Sequence, residues 1–531
     1  KKGIPLPKNI FDNRLNSSGM DITEKEKLDL LKQKLNNFDG KLVNAKSLYI
    51  GSKDNQDKVE DIFSISSNSQ IGTVTYDDLN QIKKCLEKNH SNSWSATKVK
   101  DRSKILNKIA DNIENDPYEL IYFLINEAGK TIQNAIDEIR EAVDFLRYYS
   151  NQIIQISNQT KLEGPTGEEN IISYSPKGRF LCISPWNFPV AILIGQISAA
   201  LACGNRVIVK PSEHTSILGY LIVKKFHEIG VPKEALELII GDGSYGEVLG
   251  SINPLHGVAF TGSLETAKKI QTNLLNNQDQ IIPLIAETGG VNAMIVDSSA
   301  LLEQVTDDII RSAFDSAGQR CSALRVLCIQ EEIYNELIEM IKGSMETQSL
   351  GDPNDFNIDI GPIINKQALK KLKEYIASFN KNGMKVFQLE GVNSSTHMSP
   401  TIIEINKISD IENEQFGPIL HTLKYKSSEI DELIDQINKS GYGLTMGLHT
   451  RIESRADYFS KNANVGNIYI NRDMVGAVVG SQPFGGVGLS GSGFKAGGPN
   501  YLLQFLNEKV ISKNSVAFGG NAELLNLQED L

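Results

Sequence analysis

The stretch FLCISPWNFPVAILIGQISAALACGNRVIVKPSE (residues 180–213) predicts a β-strand, a buried helix over 190–204 and a second β-strand. Its two strands, FLCIS and RVIVK, are short apolar runs. Because parallel strands need a crossover, this unit predicts a parallel sheet that is covered by helices on both faces. The alternation continues to residue 286 with strands 236–240, 257–260 and 281–286 and helices 217–230, 246–252 and 264–275.

A second α/β region follows the first and continues to about residue 475. Its predicted elements include helices over 302–314, 332–343 and 366–380 and a strand over 325–330.

The flanking segments have a different pattern. Residues 1–60 are polar and contain one amphipathic helical candidate, over 23–37. From Trp94 to about Tyr149 apolar residues recur at helical spacing, which predicts a helical layer. The tail beyond residue 500 is predicted to form edge strands that join subunits.

The composition excludes several classes of protein. A chain of 531 residues is too long for a single hydrophobic core. Its 54 basic and 65 acidic residues give a formal charge of −11, which disfavours nucleic-acid binding. Neither a membrane span nor a signal peptide is expected. The five scattered cysteines and seven dispersed histidines predict a cytoplasmic protein without a disulfide framework or a metal site.

Two segments match the phosphate-binding pattern G-x-G-x-x-G. GDGSYG, which contains Gly243, follows a predicted strand and opens a helix, a context that suits a phosphate. The acidic residue that binds a ribose in this pattern is expected about 20 residues later but is missing, and Glu265 is the nearest candidate. GVGLSG (486–491) follows no clear strand and is interpreted as a turn-rich loop. A tight turn explains either match as well.

Polar residues at strand ends indicate a dinucleotide site. FTGSLETA places Thr261, Gly262 and Ser263 between a strand and a helix, where a pyrophosphate could bind. An N-cap role for Ser263 explains the same pattern. Lys210 and Glu213 follow a strand at the sheet edge where doubly wound folds bind ligands, although a solvated ion pair is the alternative.

Three residues supply the ingredients of covalent catalysis. Cys321 is a candidate nucleophile, and the charge of Arg320 beside it is expected to favour the thiolate. Glu287, at the end of a predicted strand, could take a proton from water. Asn187, also at a strand end, could donate its amide N–H to an oxyanion. Each alone also fits a core, turn or cap position, but together they predict an active site.

The sequence resembles the aldehyde dehydrogenase superfamily over about residues 90–520. The motifs that carry the resemblance are SPWNFP (184–189), KPSE (210–213), FTGS (260–263), ETGG (287–290), GQRCS (318–322), EQFGP (414–418) and PFGG (483–486). The resemblance implies an α/β fold with a Rossmann-like NAD-binding domain, a second α/β catalytic domain and a small β oligomerisation flap. It implies Cys321 as nucleophile, Glu287 as general base, and Asn187 with the Cys321 N–H as oxyanion donors.

The resemblance also implies NAD as the cofactor. Lys210 and Glu213 would hold the adenosine ribose, Ser263 the pyrophosphate, and Glu414 the nicotinamide ribose with Phe416 beside it. The acidic Glu213 disfavours the 2′-phosphate of NADP. The predicted cofactor residues are Ser184, Trp186, Lys210, Ser212, Glu213, Gly243, Thr261, Gly262, Ser263, Glu414 and Phe416.

Longer phrases, such as EIREAVDFLRYY and SAFDSAGQRCSALRVLC, resemble the L-glutamate γ-semialdehyde dehydrogenase part of the bifunctional proline utilization A flavoenzymes. This implies oxidation of L-glutamate γ-semialdehyde, formed from 1-pyrroline-5-carboxylate, in the second step of proline catabolism. The backbone N–H groups of Gly476 and Ala477, with the Ser322 hydroxyl, would bind the substrate carboxylate. Phe188 and Phe484 would enclose its methylene chain, although core packing explains both aromatics too.

The same resemblance implies a homo-oligomer and an upstream proline dehydrogenase domain that this sequence lacks. Because the sequence also lacks an initiator Met, we expect it to be an excised C-terminal portion. The predicted domains are a helical layer plus NAD-binding domain (1–160 and 180–286), a catalytic domain (287–485), and bridging strands with a tail (161–179 and 486–531). Two alternatives remain: a dehydrogenase of another semialdehyde such as succinate semialdehyde, and a catalytically inactive binding protein of the same fold.

Overall fold

The computed structural model describes residues 3–52, 58–88, 93–390, 395–476 and 478–514. Its α-helices are α1 (Lys25–Asn36), α2 (Leu79–Leu86), α3 (Ser93–Ala96), α4 (Val99–Asn115), α5 (Tyr118–Asn126), α6 (Ile132–Ile156), α7 (Ala191–Ala202), α8 (Ser216–Ile229), α9 (Gly243–Gly250), α10 (Leu264–Asn277), α11 (Leu302–Phe314), α12 (Tyr334–Glu346), α13 (Lys366–Lys381), α14 (Ile430–Lys439) and α15 (Glu453–Asn462). Its strands are β1 (Val43–Lys46), β2 (Lys58–Phe63), β3 (Gln70–Tyr76), β4 (Thr160–Leu162), β5 (Glu168–Pro176), β6 (Arg179–Ile183), β7 (Arg206–Lys210), β8 (Leu236–Leu238), β9 (Gly257–Thr261), β10 (Leu284–Glu287), β11 (Ala293–Val296), β12 (Val326–Gln330), β13 (Val386–Gln388), β14 (Thr401–Glu404), β15 (Ile419–Tyr425), β16 (Tyr442–Gly443), β17 (Thr445–His449), β18 (Asn467–Ile470), β19 (Val487–Gly488) and β20 (Leu506–Asn514).

The first large sheet is parallel and has the strand order β10-β9-β6-β7-β8. Every residue of β7 is buried, and α7 is buried almost all round, as an apolar helix between layers should be. The predicted strand–helix–strand unit is therefore confirmed. The strand predicted from residue 281 begins only at Leu284, since Pro283 has no N–H to donate to a ladder and Ile281 is fully exposed.

A helical layer formed by α3 to α7 packs against this sheet, as predicted. Trp94 is buried in it and donates its indole N–H to the Leu201 carbonyl at 2.9 Å. The helix predicted at 23–37 corresponds to α1, but the prediction for residues 1–60 missed β1 and the start of β2, which pair with β3 in a small sheet. Strand β2 is mostly exposed and carries charged residues on both faces, so it lacks the alternation that identifies a strand.

The second large sheet has the order β13-β14-β15-β12-β11-β17-β18, and it is parallel except for the β13–β14 pair. A separate hydrophobic core, drawn from residues 291–474, surrounds it. The predicted helix 302–314 and strand 325–330 correspond to α11 and β12. The predicted second α/β region is confirmed.

A third sheet, β20-β5-β4, is antiparallel, and β20 pairs with β5 along its whole length. The expectation of edge strands beyond residue 500 is met as far as Asn514. Their role in joining subunits, and the boundaries of the three domains, stay predictions. In the part of the chain that the structure describes, no helix has both the length and the apolar character needed to cross a bilayer.

Candidate active site

Four parallel strands of the first sheet end at the same edge, and most predicted site residues follow these ends. Ile183 on β6 lies beside Lys210 on β7 and Phe260 on β9. Glu287 on β10 lies beside Thr261 on β9. Ligands of doubly wound sheets bind at this edge, so the fold brings distant motifs together where the sequence predicts them.

The loop that carries Cys321 comes from the second sheet, between α11 and β12. Asn292, in the connection between β10 and β11, donates its side-chain amide to the carbonyls of Cys321 (2.7 Å) and Ala323 (2.9 Å). Its amide oxygen accepts from the Thr445 N–H at 3.2 Å. Asn292 therefore ties the cysteine loop to β17 of the second sheet. Sequence reasoning missed it, although it follows the ETGG motif by two residues.

One cavity contains both reacting groups and most of the predicted substrate residues. The predicted residues that line it are Cys321, Glu287, Phe188, Ser322, Gly476, Phe484 and, from the cofactor set, Thr261. Gly476 belongs to the described residues 475, 476 and 478–480, called here the Gly476 loop. Ala477, also predicted to bind substrate, lies outside the described residues.

Glu287 is held by the glycine-rich loop that follows PFGG. Its Oε2 accepts from the Gly486 N–H at 3.2 Å, and a Cβ on Gly485 would lie 2.6 Å from Oε1. Only a glycine allows this approach. Burial raises the pKa of Glu287 to about 8, against the opposing effects of the Gly486 N–H and the Lys495 charge. The segment interpreted as a turn-rich loop is thus part of the site.

Cys321 lies in an environment that favours the neutral thiol. Burial, followed by the charges of Glu414 and Glu287, raises the pKa of the thiol to about 12. A hydrogen bond from the Ser322 backbone N–H acts in the opposite direction. The thiol therefore requires a base when it reacts, and Glu287 is a carboxylate on the same cavity wall.

Arg320 does not stabilise the thiolate, and that expectation was wrong. Its guanidinium pairs with Asp315 at 2.7 Å and donates to the side-chain oxygen of Asn134 at 2.8 Å. The Arg320 guanidinium therefore binds Asn134 on α6 and Asp315, and not the Cys321 sulfur. It stiffens the turn before the nucleophile, where Ser316 and Ala317 have left-handed φ values of 54° and 55°.

Asn187 is buried beside the cysteine loop. Its side-chain amide donates to the Gln319 carbonyl at 3.2 Å, two residues before Cys321. The Gln319 side chain in turn donates to Pro362 O at 3.0 Å and accepts from Ile364 N at 3.0 Å. The predicted oxyanion donor therefore lies against the loop that carries the nucleophile.

Phe188 is positioned by two cations. The Lys130 ammonium lies 3.8 Å from its ring centroid, and the Arg320 guanidinium lies 5.3 Å away. Glu138 pairs with Lys130 at 3.2 Å and also accepts from the Val190 N–H at the start of α7. This network fixes one wall of the cavity.

Helix α6 contributes a stripe to the cavity that sequence reasoning missed. Glu141, Phe145 and Tyr149 line it at four-residue spacing, which places them on one helix face. Burial, and then the charge of Glu138, raises the pKa of Glu141 to about 7. The spacing is visible in EIREAVDFLRYY, but nothing local distinguishes a cavity-facing stripe from a core-facing one.

The predicted cofactor residues form a second group at the sheet edge. Lys210 is buried, and its ammonium lies 4.0 Å from Glu213 and donates to the Pro211 carbonyl at 3.2 Å. Burial lowers the pKa of Lys210, and the charges of Glu213 and Asp242 oppose that shift. Within the described residues, the buried Ser184 hydroxyl has no hydrogen-bond partner.

The residues predicted around the nicotinamide lie nearer the cysteine. The ring of Trp186 meets that of Phe416 edge-on, with centroids 5.6 Å apart. Glu414 pairs with Arg325 at 3.0 Å, and burial raises the pKa of its carboxyl against that cation. The same Arg325 also donates to the Arg320 carbonyl at 3.0 Å, so it links Glu414 to the cysteine loop.

Several predicted polar groups serve local structure. The Ser263 hydroxyl accepts from the Thr266 N–H at 3.2 Å and so caps α10. The Ser212 hydroxyl accepts from the His214 N–H at 3.3 Å. Glu265, the candidate ribose acid, is exposed and pairs with Lys269.

The other glycines and threonine of the cofactor set lie at strand and helix ends. Gly243 begins α9, after the Asp242 side chain that caps it. Thr261 accepts from the Gln196 side chain at 3.2 Å, and the Gly262 N–H donates to the Glu287 carbonyl at 3.1 Å. These contacts connect the cofactor edge to the catalytic cavity.

A family model described as the aldehyde dehydrogenase family matches residues 52–511. The chain belongs to the aldehyde dehydrogenase family. It is therefore an oxidoreductase with the aldehyde dehydrogenase fold, as the sequence resemblance implies. Among the residues that the structure describes, no cluster of three or more His, Cys, Asp or Glu side chains could hold a metal ion.

Named aldehyde dehydrogenase relatives are of two lengths. The bifunctional protein PutA of Escherichia coli (strain K12) is 43% identical over 529 residues, which is 97% of this chain but 39% of that protein. The 1-pyrroline-5-carboxylate dehydrogenase of Oceanobacillus iheyensis is 33% identical over 481 residues, 89% of this chain and 92% of that protein. A mutant of the Thermus thermophilus 1-pyrroline-5-carboxylate dehydrogenase superposes with a TM-score of 0.88 at 28% identity, covering 94% of this chain and 99% of that one. The chain thus spans about two fifths of the PutA relatives it matches.

Proposed function

We propose that this aldehyde dehydrogenase oxidises L-glutamate γ-semialdehyde to L-glutamate with NAD as the cofactor. The observation that carries the proposal is the cavity in which Cys321 and Glu287 meet three phenylalanines and Gly476. Relatives of similar length named 1-pyrroline-5-carboxylate dehydrogenase support the choice of substrate.

The residues at the sheet edge fit NAD. The buried Ser184 hydroxyl can bind a further group, and the buried Lys210 ammonium lies between the acids Glu213 and Asp242, at a strand end. Ser184 and Lys210 would hold the cofactor, with Glu213 at the adenosine ribose and Glu414 at the nicotinamide ribose. NAD supplies the acceptor for the hydride that leaves the substrate carbon.

The chain's own residues carry the covalent chemistry. The sulfur of Cys321 bonds to the aldehyde carbon, and Glu287 receives the thiol proton. The amide of Asn187 and the backbone N–H of Cys321 hold the oxyanion that forms. After oxidation the substrate is held as a thioester on Cys321, and Glu287 releases the thiol proton to solvent. The ionised carboxylate then takes a proton from the water that hydrolyses the thioester and returns it to the departing sulfur. Glutamate and the free thiol are the products.

The cavity wall favours an amino-acid aldehyde over a simple one. The Gly476 loop and Ser322 offer donors for a carboxylate, and the Phe188 and Phe484 rings can pack on methylene groups. Glu141 on the same wall suits an ammonium group, which would compensate its buried charge. Succinate semialdehyde has the carboxylate but lacks the ammonium.

A substrate panel tests the proposal by following NADH absorbance. We expect L-glutamate γ-semialdehyde to have a higher kcat/KM than succinate semialdehyde, and succinate semialdehyde a higher one than propanal. Cys321→Ala should abolish NADH formation, whereas Cys85→Ala, at a half-exposed cysteine outside the cavity, should not. Glu141→Gln should raise KM for glutamate semialdehyde by about tenfold and leave succinate semialdehyde little changed.

Three results would contradict the proposal. Activity retained in Cys321→Ala would show that Cys321 is not the nucleophile. A higher kcat/KM with succinate semialdehyde would identify that aldehyde as the substrate. An absence of NADH with every aldehyde would favour the inactive binding protein.

We further propose, by analogy with the PutA relatives, that the reaction is the second step of proline catabolism and that the β20-β5-β4 sheet joins subunits.

A further inference from the structure

The N-terminal arm, residues 3–24, is fastened to helix α6 by buried polar contacts. Asp144 on α6 accepts two hydrogen bonds from Ser17, one from the backbone N–H (2.6 Å) and one from the hydroxyl (2.8 Å). Arg147, one helical turn on, donates to the Asn16 carbonyl at 3.0 Å. Ser17 and Asn16 are both buried, so this attachment excludes water and is specific in register.

A neighbouring face of the same helix lines the catalytic cavity. Glu141, Phe145 and Tyr149 point into it, whereas Asp144, one residue away from Phe145, holds the arm. The arm and the cavity therefore lie along adjacent faces of one helix.

Arg14 extends from the arm to the loop that is proposed to bind the substrate carboxylate. Its guanidinium donates to the Val479 carbonyl at 2.7 Å, the short distance of a charge-assisted hydrogen bond. The same guanidinium stacks over the ring of Phe11 at 3.9 Å and lies 5.4 Å from the ring of Tyr148 on α6. Arg14 thus joins the arm, the helix and the loop.

Two glycines of the Gly476 loop have left-handed backbone, and contacts with other segments hold each of them. Gly476 has φ +73° and Gly480 has φ +84°, values that L side chains rarely adopt. At one end the Tyr469 hydroxyl donates to the Gly476 carbonyl at 3.3 Å. At the other end the Gly480 N–H donates to the Gly497 carbonyl at 2.9 Å, beside the carbonyl that Arg14 holds.

We propose that Arg14 is a positioning residue for the substrate. By fixing the peptide between Val479 and Gly480, it sets the place of the Gly476 loop and thereby the binding of the substrate α-carboxylate. The proposal rests on the proposed function for the identity of the ligand, but the mechanical link between the arm and the loop stands on the contacts alone. An aldehyde without a carboxylate should be insensitive to Arg14.

The kinetic test compares Arg14→Met with Lys8→Met in the whole chain. Lys8 is an exposed residue of the same arm, so its replacement removes the same charge without touching the loop. For Arg14→Met we expect KM for L-glutamate γ-semialdehyde to rise about tenfold, the effect of one charge-assisted hydrogen bond, with little change in kcat. The kinetics with propanal should stay as in the wild type, and Lys8→Met should resemble the wild type with both substrates.

A second measurement does not depend on the substrate. Hydrogen–deuterium exchange of peptides that cover residues 475–482 should be faster in Arg14→Met than in the wild type, and unchanged in Lys8→Met. If Arg14→Met fails to fold, Arg14→Lys retains the charge with a single, shorter-reaching ammonium and should give smaller changes in the same directions.

Equal losses with the semialdehyde and propanal, or an unchanged loop exchange rate, would overturn the assignment. If the wild type does not oxidise glutamate semialdehyde at all, the proposed function fails, and the exchange experiment still decides whether Arg14 holds the loop.

Discussion

Burial of Glu287 and Cys321 in one cavity leaves two weakly ionised groups at the reaction centre. The pKa of Glu287 is raised to about 8 and that of Cys321 to about 12, in both cases first of all by burial. At neutral pH the carboxyl is therefore mostly protonated, and its capacity to accept a proton grows as the pH rises through about 8. Under the proposed mechanism Glu287 is the base, so its pKa sets the pH range of the reaction.

We expect the rate to rise with pH and to level off above about 8, the pKa of Glu287. Glu287→Gln should remove this rise and lower kcat by about 100-fold to 10,000-fold, the usual effect of losing a general base. A kcat profile from about pH 6 to pH 10 measures both effects. A flat wild-type profile, or an unchanged rise in Glu287→Gln, would assign the base to another group.

The same substitution has a consequence for stability, with a defined sign. Because the folded pKa of Glu287 is raised from 4.5 to about 8, the folded protein holds more protons than the unfolded chain between these values. The wild type therefore loses stability as the pH rises through this window. Glu287→Gln should lose less stability over this pH range. The Tm of the variant minus the Tm of the wild type should therefore increase from low to high pH. The exposed Glu432 provides the matched control, Glu432→Gln.

At the scale of elements, the site depends on the connection between β10 and β11. This segment leaves the first sheet at Glu287 and enters the second sheet at Ala293, and Asn292 lies at its end. Its side chain binds the two carbonyls of the cysteine loop and one N–H of β17. A single amide thus satisfies three backbone groups, two from the cysteine loop and one from β17.

Asn292→Ala should leave these backbone groups without partners and lower the free energy of unfolding by about 3 kcal/mol. We also expect kcat to fall, since the cysteine loop loses the contact that fixes the Cys321 carbonyl. Thermal denaturation and NADH formation measure the two effects. Asn335→Ala, at an exposed position on α12, should change neither; a silent Asn292→Ala would show that the loop is held by other contacts.

At the scale of the whole molecule, the cleft forms where the carboxyl edge of the first sheet faces the cysteine loop of the second. Lys210 and Ser184 lie on the first sheet, whereas Glu414 and Phe416 come from the second region. A dinucleotide held by both groups would therefore bridge the two cores. Such a ligand stabilises the folded chain by mass action.

NAD at about 100 times its Kd should stabilise the protein by about 2.7 kcal/mol, seen as a rise in Tm. NADP should give a smaller shift because Glu213 repels its 2′-phosphate. Lys210→Met should reduce the NAD shift, whereas Lys268→Met, on the exposed face of α10, should not. Equal rises in Tm with NAD and NADP would show that Glu213 does not determine the choice of cofactor.

Much of the architecture was predictable because apolar runs of characteristic length and spacing mark its strands and helices. The strands FLCIS and RVIVK and the helices between and after them were found from apolar runs and their lengths. Strand β2 was missed because its two faces are equally polar, so no period marks it. Strand β10 was predicted three residues too early, since Pro283 interrupts the ladder within an apolar run.

The sequence by itself determined the α/β layers, the family and the identity of Cys321, Glu287 and Asn187 as candidates, because the order of motifs and the alternation of elements are local properties of a chain. Only the tertiary structure decided that Arg320 pairs with Asp315, that Glu141 lines the cavity and that Arg14 binds the Val479 carbonyl. These facts depend on burial and on contacts between segments far apart in sequence, and no local pattern encodes either.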